Sequence, residues 1–159
     1  MFSRRARRSR AAELVELTIA LPVLLYLSLG VAEVGYFILD YMACQAAAWR
    51  AARAAAAGES LELIAARAKA GLPDRLLNNI QIVAEKRWYG IAGPETDWEP
   101  LGNVTEGSNV VNDAQPGEHV KVTVTCQHQL LTRLLPFLDP DDDGVMSISA
   151  AAVAERERR

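Results

Sequence analysis

Glu16 is the acid whose placement most invites chemistry. It directly precedes an apolar stretch, Leu17 to Leu39, in which Glu33 is the one charged residue. Translocon scales charge about 2.5–3.5 kcal/mol for an acid at the centre of a spanning helix, and less at its edge, where Glu16 stands. One reading makes Glu16 an interfacial acid favoured by the positive end of a helix dipole. The other gives it a cation that only proteolysis can create. A cut between Ala11 and Ala12 removes Arg4, Arg5, Arg7, Arg8 and Arg10 and leaves a free ammonium on Ala12, which Glu16 of an adjacent molecule can neutralise.

Two further groups have the residue types for a site. Asp139, Asp141, Asp143 and Gly144 form a DxDxDG turn. Alternate carboxylates in a tight bend converge oxygens on a hard cation, as in calcium loops, although Ala150 stands where the twelfth-position acid belongs. The competing reading is a solvated acidic turn formed by Pro140 and Gly144. Cys44 and Cys126 are the two cysteines of the chain. Val120, Val122, Val124 and Cys126 alternate with polar residues, which puts Cys126 on the apolar face of a strand. If that face packs on the helix carrying Cys44, the sulfurs meet, either as a disulfide or as two buried thiols. His119 and His128 fall on opposite strand faces and are expected to be structural. Asn103, Val104 and Thr105 spell a glycosylation sequon that is expected to be simply loop. Trp49, Trp88 and Trp98 are expected at packing or interface positions. No nucleophile–base pair, phosphate-cradling glycine loop or closed zinc spacing occurs, so an enzyme is not expected.

The elements that position these groups begin with a long helix. Leu17 to Leu39 is long enough at ~1.5 Å per residue to cross a hydrocarbon core of ~30 Å. The five arginines precede it and the next basic residue is Arg50, so the N-terminus is expected on the cytoplasmic side and the rest outside. A cleaved signal peptide has a shorter apolar region ending in small residues, and a plain signal anchor remains a second alternative. The alanine-rich continuation, including Ala43, Ala46, Ala47, Ala51, Ala54 and Ala55, extends the helix to about Ala57, with Gly58 as its cap. Pro22 removes one of its backbone bonds. Glu33 and Asp40, seven apart on one helix face, either mark where the rod leaves lipid or pair with arginines or amides of neighbouring molecules.

Ser60 is placed to cap a second helix, Leu61 to about Ala70. Strands are expected at 81–87, 118–129 and 145–153, with Met146, Ile148, Ala150 and Ala152 on one face of the last. The stretch 90–117, rich in glycine and proline, reads as loop. The fold class expected is therefore α+β, a long helix packed on a small antiparallel head.

The segment ELTIALPVLLYLSLGVAEVGYF, Glu16 to Phe37, resembles the start of TadE-like pseudopilins of tight-adherence pilus systems, which are similar to type IV prepilins. The AAAWRAARAAAAG stretch from Ala46 to Gly58 resembles the alanine and arginine segment of the same family. The resemblance implies a basic leader, residues 1–11, cut by a prepilin peptidase after Ala11, where such leaders usually carry glycine. It implies a mature chain starting at Ala12, with Glu16 as its fifth-position acid and Pro22 as the early proline. It further implies a helix over 12–57 with its membrane span at 17–39, and an extracytoplasmic head, 58–159, of pilin-like fold. The partners implied are the inner membrane, the peptidase, other pilin-like subunits and the assembly machinery, with no cofactor beyond the candidate calcium turn. The rival readings are an uncleaved signal-anchored envelope protein whose head binds a partner, and a secreted hydrolase or binding module.

Composition bounds these readings. The chain has 159 residues and a formal net charge of −3, which becomes −8 once the five arginines are removed. An acidic exterior argues against a nucleic-acid partner, whose phosphates call for a basic footprint. The length allows one soluble domain of about 100 residues beyond the membrane helix.

Overall fold

The computed structural model describes residues 3–88, 97–130 and 144–157, with side chains from Glu13 onward. Helix α1 runs Ser3–Ala56 without a break at Pro22. It is followed by α2 (Leu61–Lys69), α3 (Asp74–Leu77), β1 (Gln81–Trp88), β2 (Glu99–Pro100), β3 (Asn103–Glu106), β4 (Asn109–Asn112), β5 (Glu118–Gln129) and β6 (Val145–Glu155). Four strands form an antiparallel sheet in the order β2-β1-β5-β6, and β3 and β4 form a separate hairpin. This is the α+β arrangement expected from the sequence: a long apolar helix laid on a small antiparallel sheet.

The sheet forms because β5 alternates as its sequence dictates. Val120, Val122, Val124, Cys126 and His128 are buried, whereas the residues between them are half-buried or exposed. β6 offers Ile148, Ala150 and Ala152 to the same side, in register with Cys126, Val124 and Val122 of β5. The helix meets this face with Cys44, Ala47, Ala48, Ala51, Ala52 and Ala55, all fully buried. Methyl-sized side chains let the sheet approach the helix backbone closely, and the β-branched valines fill the space left between them. Ile64 and Ala68 of α2, with Leu72 and Leu76, close the other flank of this core.

The end of α1 is a Schellman motif. Glu59 N–H donates to the Ala54 carbonyl and Gly58 N–H to the Ala55 carbonyl, each at 3.0 Å, with Gly58 at φ 85°. Only glycine enters that region without a Cβ penalty, so the expected cap is the observed one. The remaining carbonyl of Ala56 accepts from Arg156 Nη1 at 3.0 Å and from the Glu157 N–H at 3.1 Å. The chain end after β6 thus ties back onto the C-terminal, partly negative end of the helix.

Two local expectations are corrected by long-range partners. Ser60 occupies the N-cap of α2 but its side chain makes no capping bond. Asn103 Oδ1 accepts from the Leu61 N–H at 2.9 Å, so the orphan donor is satisfied by a residue 42 positions away. Within 97–117, expected to be loop, Gly107 at φ 63° turns a hairpin of NVTE against NVVN. A two-residue Gly-Ser turn between short β-branched runs is the signal for it.

Candidate functional site: the apolar rod and the joint that grips it

The rod divides by burial. From residue 13 to 28 every residue is exposed, and Glu33 is the first to be buried. Glu16 is exposed on the bare part, as are Leu17, Ile19, Leu21, Leu24 and Leu25. In a water-soluble molecule so long an uncovered apolar surface has no stable place, because every such side chain costs free energy against water. The helix is long and apolar enough to cross a membrane, with a mean hydropathy of 2.1 and no burial over its most apolar window. Pro22, Tyr26, Gly30 and Val34, each four residues on from the last, line a shallow groove of 720 Å³ together with Val23, Leu27 and Val31. Gly30 keeps this ridge low, the feature that lets helices approach in lipid.

Apolar exposure continues past the expected span. Tyr41, Met42 and Trp49 stay exposed while Asp40, Cys44, Ala47 and Ala48 turn toward the head. From Tyr41 to Trp49 α1 is therefore two-faced. One side is held by the sheet and the other is uncovered.

Where the head takes hold lies a cluster of ionisable side chains, three of them buried. Glu33 is 0% exposed, Asp40 2% and His128 2%. His128 Nδ1 lies 2.7 Å from Asp40 Oδ2, and its Nε2 lies 3.6 Å from Glu33 Oε1. Phe37, between the two acids on the helix, meets the imidazole edge-on with centroids 5.7 Å apart. Arg75, from the short helix α3, closes the outer side: Nη2 is 2.5 Å and Nε 3.2 Å from Asp40 Oδ1. Burial raises the Asp40 carboxyl, but the hydrogen bonds and charges of Arg75 and His128 outweigh it and hold the group below the ordinary value of 3.8. It is therefore ionised, and His128 donates to it. A pocket of 380 Å³ opens beside this cluster, lined by Tyr36, Asp40, Arg75 and Leu76 with residues 127–130 of the sheet edge.

The cluster answers what an acid is doing near the end of a bilayer-length run. Glu33 does not face lipid, because β5 covers it with His128. Within the chain, Asp40 pairs with Arg75 and His128, and Glu33 lies beside His128. His128 is on the buried face of β5, as strand alternation requires, but its role in the clasp depends on a helix 88 residues earlier.

The two cysteines come together. Both are fully buried free thiols, and Cys44 Sγ lies 3.5 Å from the Val124 carbonyl and 3.8 Å from that of Ile148, the β6 residue in register with Cys126. Burial, then the contact with Cys44, pushes the Cys126 thiol up to about 12. Ala11 and Ala12 lie within α1. Asp139, Asp141 and Asp143 lie outside the described residues.

A second polar joint escaped sequence reading. Asn112, 2% exposed, donates its amide to the Ala55 carbonyl at 2.8 Å and to the Glu59 carbonyl at 3.0 Å, and its Oδ1 accepts from the Ala114 N–H. This clamps the hairpin onto the end of α1. Lys86 Nζ meets Asp113 Oδ2 at 2.8 Å, while Asp113 Oδ1 accepts from the Gly102 N–H. Desolvation works against the Asp113 charge, yet Lys86 and Gly102 together lower its pKa.

Residues 12–53 match the family model described as TadE-like protein, a little over a quarter of the chain. No curated protein and no solved structure matches. The matched segment covers the bare rod, the clasp acids Glu33 and Asp40, and the alanine stripe as far as Arg53. It stops before the head.

Proposed function

We propose, from a chain whose N-terminal segment is TadE-like, that this protein is a minor pilin-like subunit of a tight-adherence pilus, acting in pilus assembly or tip initiation. In this reading the precursor sits in the bacterial inner membrane with its arginines cytoplasmic and its head outside. A prepilin peptidase cuts after Ala11, and α1 then passes from lipid into a bundle of sister helices. The same exposed side chains serve both states, since an apolar surface is satisfied by acyl chains or by other apolar helices. Glu16 pairs with the Ala12 ammonium of an adjacent subunit, and that ion pair sets axial register.

The observation that carries the reading is the exposed apolar side of α1. It runs from the bare rod through Ile38, Met42 and Trp49, on the side of α1 that the head leaves open. A simple membrane anchor needs apolar surface only as far as the bilayer reaches, ~30 Å. A filament helix needs it beyond that, and here Tyr41, Met42 and Trp49 supply it past Leu39. The exposed acidic and polar surface of the head is left to choose partners.

The test is the mature N-terminus, read by mass spectrometry from cells with and without the prepilin peptidase. A chain beginning at Ala12 only when the peptidase is present supports the proposal. Full-length protein in both would instead favour the signal-anchored envelope protein. Glu16→Ala is expected to be processed normally and to lose piliation. Normal pili from that variant would remove the pairing step.

A further inference from the structure

We infer that Cys44 and Cys126 are joined by a disulfide when this chain folds in an oxidising compartment, covalently bolting the rod to the central strand of the head. The inference rests on the proposed extracytoplasmic placement of the head. The structure supplies the geometry for it. Cys44 is the first fully buried residue of the helix above the clasp, and Cys126 of β5 is fully buried in the same core. Cys44 Sγ lies 3.5 Å from the carbonyl of Val124, two residues before Cys126 on β5. Cys44 Sγ is also 3.8 Å from the Ile148 carbonyl, and Ile148 is the β6 residue in register with Cys126. The helix thus reaches the sheet at the rung that carries the second cysteine. The sequence contains no third cysteine, so no other pairing within the chain competes.

The reaction requires an oxidant, and the class that fits is a dithiol–disulfide oxidoreductase acting on exported chains. One protein thiolate attacks the oxidant's disulfide, forming a mixed disulfide and releasing one oxidant thiolate. The second protein thiolate then attacks the protein sulfur of that mixed disulfide and releases the other. Two S–H protons leave, two electrons pass to the oxidant, and one S–S bond forms in the chain as one breaks in the oxidant.

Timing follows from burial. Once the head has docked, neither sulfur has any exposed surface, and the thiolate needed for attack is suppressed in a site that pushes the Cys126 thiol far up. The bond must form while helix and sheet are still open to each other, and after docking it is sealed against reductants. The thiol state is therefore fixed at folding, and it decides how the head is held when the rod is pulled from the bilayer. With the bond, separation of the Asp40–His128 clasp leaves the head tethered two helical turns or less away. Without it, the alanine stripe and valines hold alone.

The experiment uses the full chain, exported, extracted in detergent, and alkylated with N-ethylmaleimide under denaturing conditions before and after reduction. The expected result is no adduct before reduction and two after it, with an unreduced mass lower by two hydrogens and a cross-linked peptide pair containing Cys44 and Cys126. The same chain made in a reducing cytoplasm should take two adducts without reduction. Protease added to spheroplasts reports separately whether the head is outside. Two adducts on an unreduced chain whose head is protease-accessible overturn the bond itself. Two adducts on a protected head overturn the placement and the bond with it. Native oxidised protein should also show slower hydrogen exchange than a Cys44→Ala/Cys126→Ala variant at residues 124–128, and equal rates would count against any mechanical role.

Discussion

Replacing Asp40 by alanine should open the joint between rod and head, and the structure sets the size of the effect. Asp40 is 2% exposed and receives bonds from Arg75 and from His128. Arg75 is 55% exposed in its side chain, so once released it regains water, and its share is discounted toward the ~0–1 kcal/mol of a surface pair. His128, 3% exposed, cannot do so. Its Nδ1–H is left without an acceptor, which costs about 1–3 kcal/mol, and the charge-assisted bond itself is lost at about 1.5–3 kcal/mol. Asp40→Ala should therefore cost about 3–5 kcal/mol, the range for breaking a buried pair from one side, whereas Arg75→Ala should cost about 1 kcal/mol. The sign of the pH effect follows from the lowered Asp40 pKa. A carboxyl bound more weakly to its proton in the folded state stabilises that state above its unfolded value, and the contribution disappears as pH falls through the folded one. Wild-type protein should lose protection below about pH 4, and the variant should lose that acid limb. Hydrogen exchange on full-length protein in lipid nanodiscs, followed at 126–129 and 145–148, reads the opening constant directly. An increase of roughly a hundredfold or more is expected, each factor of ten being about 1.4 kcal/mol. If Asp40→Ala and Arg75→Ala open the joint equally, or neither changes it, the sealed-cluster reasoning is wrong.

Three further outcomes follow from the packing. Gly58→Ala places a Cβ on the Arg156 guanidinium at a backbone of φ 85°, so about 1–3 kcal/mol should be lost, visible as a lowered denaturant midpoint for the head. Asn112→Ala leaves the Ala55 and Glu59 carbonyls without its amide and should cost about 2–3 kcal/mol, with exchange rising first in the β3–β4 hairpin. Ile64→Ala, at 1% exposure between α2 and the helix, should cost about 2–5 kcal/mol by the cavity it leaves, measurable by the same denaturation.

Much of the fold was legible because its elements are specified locally. The β5 boundaries at Glu118 and Gln129 were read from alternation alone, and the Schellman end at Gly58 from an alanine run followed by glycine. The hairpin was missed because its strands are four residues each, too short for periodicity to stand out against a glycine- and proline-rich stretch. Ser60 stands at the cap position but Asn103 supplies the bond, since a side chain 42 positions from Leu61 leaves no local trace. Asn112 and Arg156 look like ordinary polar residues until the helix end they clamp is beside them.

The candidate site divides the same way. Sequence alone determined that a bilayer-length apolar helix begins beside Glu16, that its outer half is lined with alanine, and that Cys126 and His128 share the apolar face of a strand. These properties belong to spacing along one element, and spacing is written in the chain. Only the tertiary structure decided that Glu33 and Asp40 turn toward the head, that His128 sits between them with Arg75 outside, and that Cys44 meets Cys126. Those pairings join residues 35 to 95 positions apart, and they are fixed by how a sheet lies on a helix. Burial then makes each charge depend on its partner, a condition no single segment can express.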